Sequence, residues 1–343
     1  MVRQRKVITM AHMIENNQIA YKNETPWHGL GFRVSPDATG AEMLKVAGLD
    51  WTVQRRALAM RAASGVSGNI TVDRDSMLTN ELAGFKAIVR SDNNFVFGIP
   101  TKKYNVVQNS EIVDLFREYC EAGHASMETV GALRNGAVVW ALAKLNGGSE
   151  LTIKGVDKVC GYVLMTTSHD GSLSTIAKAT QVRVVCHNTM SAALSGSKAE
   201  FKLKHSAKWT AERAHEAKEA LGIAMQQVVT INEAAANLSN VTIDRSDWLD
   251  FMGRLMGADN VLDSKTAELT RVAADIQEAT VMSPGANLVS AKGTLWGAVN
   301  GVTYYADHMR GRTQDTRLAS AWFGESNLLK SKAMEVALEM AGV

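Results

Sequence analysis

The sequence predicts an α+β protein: a largely antiparallel sheet over about residues 51–187 with one inserted helix, followed by a helical C-terminal half. Two patterns predict it. Between residues 51 and 187, short alternating runs are separated by the turn-forming clusters Ser91-Asp92-Asn93-Asn94, Arg134-Asn135-Gly136 and His169-Asp170-Gly171, as in successive hairpins. Beyond Asn188 the apolar residues take helical spacing, and Ala207–Leu238 is alanine-rich and free of proline, which favours a long helix.

Taken in order, WTVQRRALAM (51–60) reads as a strand and FKAIVRSDNNFVFGI (85–99) as a hairpin. After Gln108, Asn109 or Ser110 can cap a helix with Glu111 in its first turn and Ile112, Leu115, Phe116 and Tyr119 on its apolar face. METVGAL and VVWALAKL flank an Asn-Gly turn that fixes their register, and KVCGYVLMTTS with SLSTIAKA forms a third hairpin, followed by QVRVVCH. A short helix is expected around TMSAAL, then the long helix, then DWLDFMGRLM and KTAELTRVAADIQEA. Met282-Ser283-Pro284-Gly285 breaks the chain, and LWGAVNGVTYYADHM and LLKSKAMEVALEMA resume helical spacing. This divides the chain into an N-terminal arm (1–50), a sheet core (51–200) and a helical region (201–343) that packs on the core or mediates assembly.

At 343 residues, 46% hydrophobic and 21% charged, the chain has enough apolar residues for a core without staples. It lacks an apolar run of about 18 residues, and the N-terminal MVRQRKVITMAHMIENNQ provides no signal-peptide core. The expected location is the cytoplasm, with no membrane contact. Three widely spaced cysteines, Cys120, Cys160 and Cys186, suit a reducing compartment. The net charge is only +2, but Lys178 to Lys218 carries eight Lys/Arg against three Glu, while Val241–Val343 is slightly acidic. Such polarity can separate a binding face from a packing region.

Little catalytic chemistry stands out. Cys186–His187 lies at the expected end of a strand, and alternation points the two side chains to opposite faces, so they cannot act as nucleophile and base without a distant partner. Strand end, cap (Asn188 or Thr189) and helix start is the favoured reading. None of the eight histidines has HxxxH or HExxH spacing, and no GxxxxGK[ST], strand–GxGxxG–helix or GxSxG occurs. No cofactor and no metal is expected. Asp244, Asp247 and Asp250 fit capping of a helix start. Trp27, Trp296, Tyr304, Tyr305 and Trp322 read as packing residues.

Three segments, ETPWHGLG (24–31), VRVVCHNTMSAAL (182–194) and LWGAVNGVTYYADHMRGRTQDTRLASAWFG (295–324), resemble the signature segments of the phage/plasmid-like protein family, whose function is unknown. The resemblance brings no catalytic residues. It implies a mobile-element context and action in the bacterial cytoplasm. In that context a basic middle segment without a nucleotide or metal site suggests a non-enzymatic DNA-handling protein, in its sharpest form a single-strand annealing homo-oligomer, a ring or filament.

A single strand is held by cations along its phosphates and by aromatic or apolar groups against its bases. Arg183, Lys198, Lys202, Lys204 and Lys208, with Phe201 and Trp209, supply both kinds. Arg55, Arg56, Arg90, Lys102 and Lys103 are the candidates for the same groove from the sheet side. Two other classes stay open: a metal-dependent nuclease or other hydrolase built around His169, Asp170 and His187, and a module that binds a host protein through its helical third.

Overall fold

The structure, a computed structural model, describes residues 18–23, 31–61, 78–183, 188–191, 200–311, 320–321 and 324–342. Its first half contains β1 (Ile19–Tyr21), β2 (Phe32–Arg33), α1 (Gly40–Val46), β3 (Val53–Arg56), β4 (Ala59–Arg61), β5 (Leu78–Glu81), β6 (Ala87–Arg90), β7 (Val96–Gly98), α2 (Asn109–Glu121), β8 (Ala125–Leu133) and β9 (Val138–Leu145). Then come β10 (Glu150–Ile153), β11 (Asp157–Ser168), β12 (Thr175–Arg183), β13 (Asn188–Ser191) and β14 (Glu200–Leu203). The helices α3 (Ala211–Leu238), α4 (Arg245–Met256), α5 (Arg271–Met282), α6 (Leu295–Tyr304) and α7 (Glu325–Ala341) follow, so the chain is α+β with its sheet first.

The main sheet runs β13-β12-β11-β9-β8-β1-β2, with β10 also beside β11 and β14 also beside β12. All these pairings are antiparallel except β1 with β2. The expected Asn-Gly turn closes β8 on β9: Leu133 pairs with Val138, and Asn135 and Gly136 take φ of 57° and 91°. A small sheet, β3-β6-β7, and the pair β4-β5 lie apart from the main one. Thus WTVQRRALAM is two short strands in different sheets, not one. The sheet also reaches further than expected, since Ile19–Tyr21 pairs with β8.

Two-residue periodicity gives the sheet two buried faces. Val139, Ala141, Ala143 and Leu145 of β9 join the cluster packed under α1 and α2, whereas Val138 and Trp140 join Ile19, Leu133 and Leu164 on the reverse. Helix α2 contributes Ile112, Val113, Leu115 and Phe116. Its start differs from expectation: the Glu111 carboxylate accepts from the Gln108 backbone N–H (2.6 Å), and the Asn109 side chain turns inward to donate to Leu49 O (2.9 Å).

Helix α3 spans both halves. Ala217, Ala220 and Val228 pack on the sheet, and Ile231, Ala235 and Leu238 enter the core formed with α4 to α7 around Phe251 and Trp296. Close approach depends on Gly161, where a Cβ would sit 2.4 Å from Val228 Cγ1. Gln181 Nε2 donates to Val228 O (3.1 Å) and Asn232 Oδ1 (2.8 Å), and Asn232 Nδ2 donates to Ser149 O (3.1 Å), while Gln181 Oε1 is buried without a hydrogen-bond partner among the described residues. A second tie is the fully buried Asp157, which accepts from Ser290 Oγ (2.8 Å) and Trp296 Nε1 (3.0 Å).

Three expectations about the helical half change or gain detail. Asn188–Ser191 is a strand against β12, with Arg183 opposite Asn188, not the start of a helix; pairing to an open sheet edge overrides local preference. The long helix begins at Ala211, capped by the Thr210 side chain on Arg213 N. At α4, Asp244 and Asp247 form a reciprocal capping box, as the capping reading expected, whereas Asp250 lies past the first turn and pairs with Arg254 (3.0 Å).

Candidate nucleic-acid interface

The basic segment begins on β14. Strand alternation buries Phe201 and Leu203 against the sheet and leaves Lys202 and Lys204 exposed on the other side. Register fixes that side, because Lys202 pairs with Ile176 and Phe201 with Ala177 of β12. Lysines on an edge strand also prevent edge-to-edge pairing, so exposure alone does not make a site.

Convergence with a second segment does more. Past β14, His205 O accepts from Asn105 N (2.6 Å) and from Asn105 Nδ2 (3.2 Å). The His205 ring stacks on Tyr104 at 4.5 Å with an interplanar angle of 17°. The Tyr104 hydroxyl donates to Ser168 O (2.7 Å), and burial pushes its pKa well above the ordinary tyrosine value. The loop carrying Lys102 and Lys103 is thereby fastened to the segment carrying Lys202 and Lys204. From the small sheet, Arg55 Nη2 donates to Lys102 O (2.6 Å), and Lys102 N donates to Gly84 O (2.7 Å).

Segments about 50 and 100 residues apart in the chain are thereby bonded to one another, and Arg55, Lys102, Lys103, Lys202, Lys204 and Lys208 are exposed on them. Among the described residues, none of these six has a carboxylate at ion-pair distance. Several cations elsewhere do: Lys144 and Lys158 share Glu150 (3.1 and 2.7 Å), and Arg310 meets Glu325 (2.7 Å). The lysine pair holds the Glu150 carboxyl at about 2, well below its ordinary range.

Other expected site residues stand elsewhere. Arg90 is buried, bonded through Nε and Nη2 to Asp92 (2.8 and 2.9 Å), and lies 4.5 Å above the Trp51 ring. It braces the hairpin and offers nothing to a ligand. Phe201 is 7% exposed and meets the half-buried Trp209 edge-on at 6.1 Å, so its ring belongs to the core and cannot stack on a base. Arg56 alternates with Arg55 and bonds Asn94 Oδ1 (2.7 Å) and Gln54, on the opposite face of β3. The backbone of Arg183 is in β12, but its side chain, like all of Lys198, Cys186 and His187, lies outside the described residues.

Sequence reasoning missed two residues. Phe85, 42% exposed, sits across from Thr101, one residue from Lys102. It opens an alternating run and so reads as core; its exposure depends on which tertiary layer is laid over it. His205 carries no motif at all.

Of the three residues named for a nuclease centre, His187 lies outside the described residues, and His169 and Asp170 are placed as follows. His169 is fully buried, and its Nε2 lies 2.9 Å from Asn109 Oδ1. Because Asn109 uses its amide to donate to Leu49 O, its oxygen accepts and the histidine carries hydrogen on Nε2. Burial, reinforced by His205, pushes the His169 pKa down to about 3. Asp170 pairs with Arg134 (3.3 Å). Among the described residues no cluster of three His, Cys, Asp or Glu is placed to hold a metal ion, and no helix is long and apolar enough to cross a membrane.

A family model described as a domain of unknown function (DUF932) matches residues 96–322, more than half of the chain, and the chain belongs to that family. No curated protein and no solved structure matches it.

Proposed function

We propose that this DUF932 chain binds single-stranded DNA without chemical turnover, as an annealing or strand-protecting homo-oligomer of a phage or other mobile element. The observation that supports the reading is the set Arg55, Lys102, Lys103, Lys202 and Lys204, exposed cations on distant segments that are tied together by the Arg55 guanidinium on Lys102 O and by the Asn105–His205 backbone bond, and left without carboxylate partners among the described residues. A phosphodiester backbone is the ligand such a set suits. Phe85 supplies an exposed ring beside it, in the role that Phe201 cannot fill. Exposed Val281, Met282 and Val289 give the helical half apolar surface for assembly.

The test is salt-dependent binding of a fluorescent oligo-dT by anisotropy. Each phosphate neutralised on a single strand contributes about −0.7 to the slope of log K against log salt, so five contacts give about −3.5. Lys202→Gln/Lys204→Gln should weaken binding to all sequences alike and reduce the slope to about −2. An unchanged slope removes β14 from the site. Absence of binding at low salt, with a single monomeric species by light scattering with and without the strand, overturns the reading.

A further inference from the structure

His205 holds its ring between two backbone carbonyls: Nδ1 lies 2.9 Å from Asn105 O and Nε2 3.0 Å from Leu173 O. A carbonyl oxygen only accepts. A neutral imidazole has one N–H and one lone pair, so it can bond one of these oxygens and must set its lone pair against the other. The imidazolium donates to both. The two carbonyls belong to different parts of the fold, one in the Lys102–Lys103 loop and the other just before β12.

We propose that His205 is a positioning residue that acts as a proton-dependent clamp: charged, it bonds both carbonyls and fixes the Lys102–Lys103 loop against the Lys202–Lys204 strand, so that nucleic acid on these lysines binds with proton uptake. The second half of this inference rests on the nucleic-acid reading above. The half-buried ring is enclosed by identifiable groups. Tyr104 stacks on one side. From the β11–β12 turn come His169, neutral and buried, and Asp170, itself paired with Arg134. Lys204 adjoins it in the chain, and Lys103 sits two residues before Asn105.

Burial lowers the His205 pKa, with the Asn105 and Leu173 carbonyls and Asp170 acting in the opposite direction. The net direction is down, so the free protein at neutral pH holds a neutral ring and a half-made clamp. A polyanion lying on the flanking lysines favours the charged ring and raises its pKa in the complex. By linkage, affinity increases as pH falls through the bound pKa and levels off below the free one. Each unit by which binding raises the pKa gives about tenfold in affinity.

The experiment has two arms. In the first, the free protein with ¹⁵N-labelled histidine is titrated by NMR. Conversion of the His205 ring to a form with two slowly exchanging N–H protons as pH falls supports the clamp; a ring that keeps one N–H throughout, or exchanges both freely, overturns it. In the second, oligo-dT affinity is measured from pH 8 to 5.5 at constant ionic strength for the wild type, His205→Gln and the exposed control His215→Gln. The wild type and His215→Gln should tighten about tenfold and His205→Gln less than twofold. Parallel profiles for all three overturn the coupling. Failure of every variant, wild type included, to bind at any pH overturns the nucleic-acid reading and with it the coupling, while the NMR arm still decides the clamp.

Discussion

Helix α6 makes an unusual demand on two of its glycines, and one of them gives a sharp test of the helical core. At Gly301 an added Cβ would lie 2.0 Å from Thr280 Oγ1 and 2.8 Å from Thr280 Cα on α5. In an isolated helix, alanine is favoured over glycine by about 1 kcal/mol. Here the clash with backbone at 2.8 Å cannot be relieved by rotating a side chain, so α5 itself would have to shift. Overpacking costs about 1–3 kcal/mol, and with the contacts at 2.0, 2.8 and 2.9 Å the upper part of that range applies, about 2–3 kcal/mol, so that Gly301→Ala should be destabilising by about 1–2 kcal/mol after the propensity gain. Gly222, exposed on α3, meets nothing within 4 Å of its added Cβ, and Gly222→Ala should be stabilising by about 0.5–1 kcal/mol. Adding Thr280→Ala to Gly301→Ala removes the clash with the hydroxyl but leaves the one with the α5 backbone, and should recover only part of the loss. Urea denaturation, comparing midpoints at equal m, reads all three. Two shifts in the same direction, or a Gly301→Ala protein as stable as wild type, would refute the packing of α5 on α6.

Two further outcomes are expected. Burial depresses the His169 pKa to about 3 in the fold, against an ordinary value of 6.5, so its contribution to stability is complete above pH 6.5 and is lost as pH falls from there toward 3. Between pH 7 and 5 this amounts to roughly 2 kcal/mol, and His169→Gln should flatten the dependence in denaturation midpoints taken across that range. Lys330 Nζ and Asp307 Oδ1 form an ion pair at 2.7 Å with both side chains under 10% exposed; burial pulls the Lys330 pKa down and Asp307 opposes it. Lys330→Met leaves the carboxylate buried and should cost about 3–5 kcal/mol, and a loss under about 1 kcal/mol in the same assay would contradict the pairing.

Much of the candidate site was legible at the level of local pattern. Lys202 and Lys204 were named as exposed cations, and the structure exposes both, Lys202 on β14 and Lys204 directly after it. Phe201 was offered to a base for its ring alone; alternation sets it on the face opposite Lys202, and that face meets the core. Arg90 looked like one more surface cation; only the stacking of β6 over Trp51, with Asp92 beside it, makes it internal. His169 belonged by sequence to a turn, and polar turns are usually wet, yet Asn109 and the aromatic rings of Trp51 and Phe97 enclose it. Asn188–Ser191 failed for a related reason: a short segment with weak preference adopts whatever the neighbouring edge can bond.

By itself the sequence determined the hairpins, the position of the Asn135-Gly136 turn, the inserted helix, the capping aspartates of α4 and the sheet-to-helix order. These depend on periods of two and 3.6 residues and on turn and cap chemistry, all of which act within a few residues. The tertiary structure alone decided that the loop after Lys103 is bonded to the segment after Lys204, that Phe85 faces water while Phe201 does not, and that His205 lies between two carbonyls. Each of these is set by contacts between groups far apart in the chain, and no local pattern carries the distance between two segments until the core has fixed it.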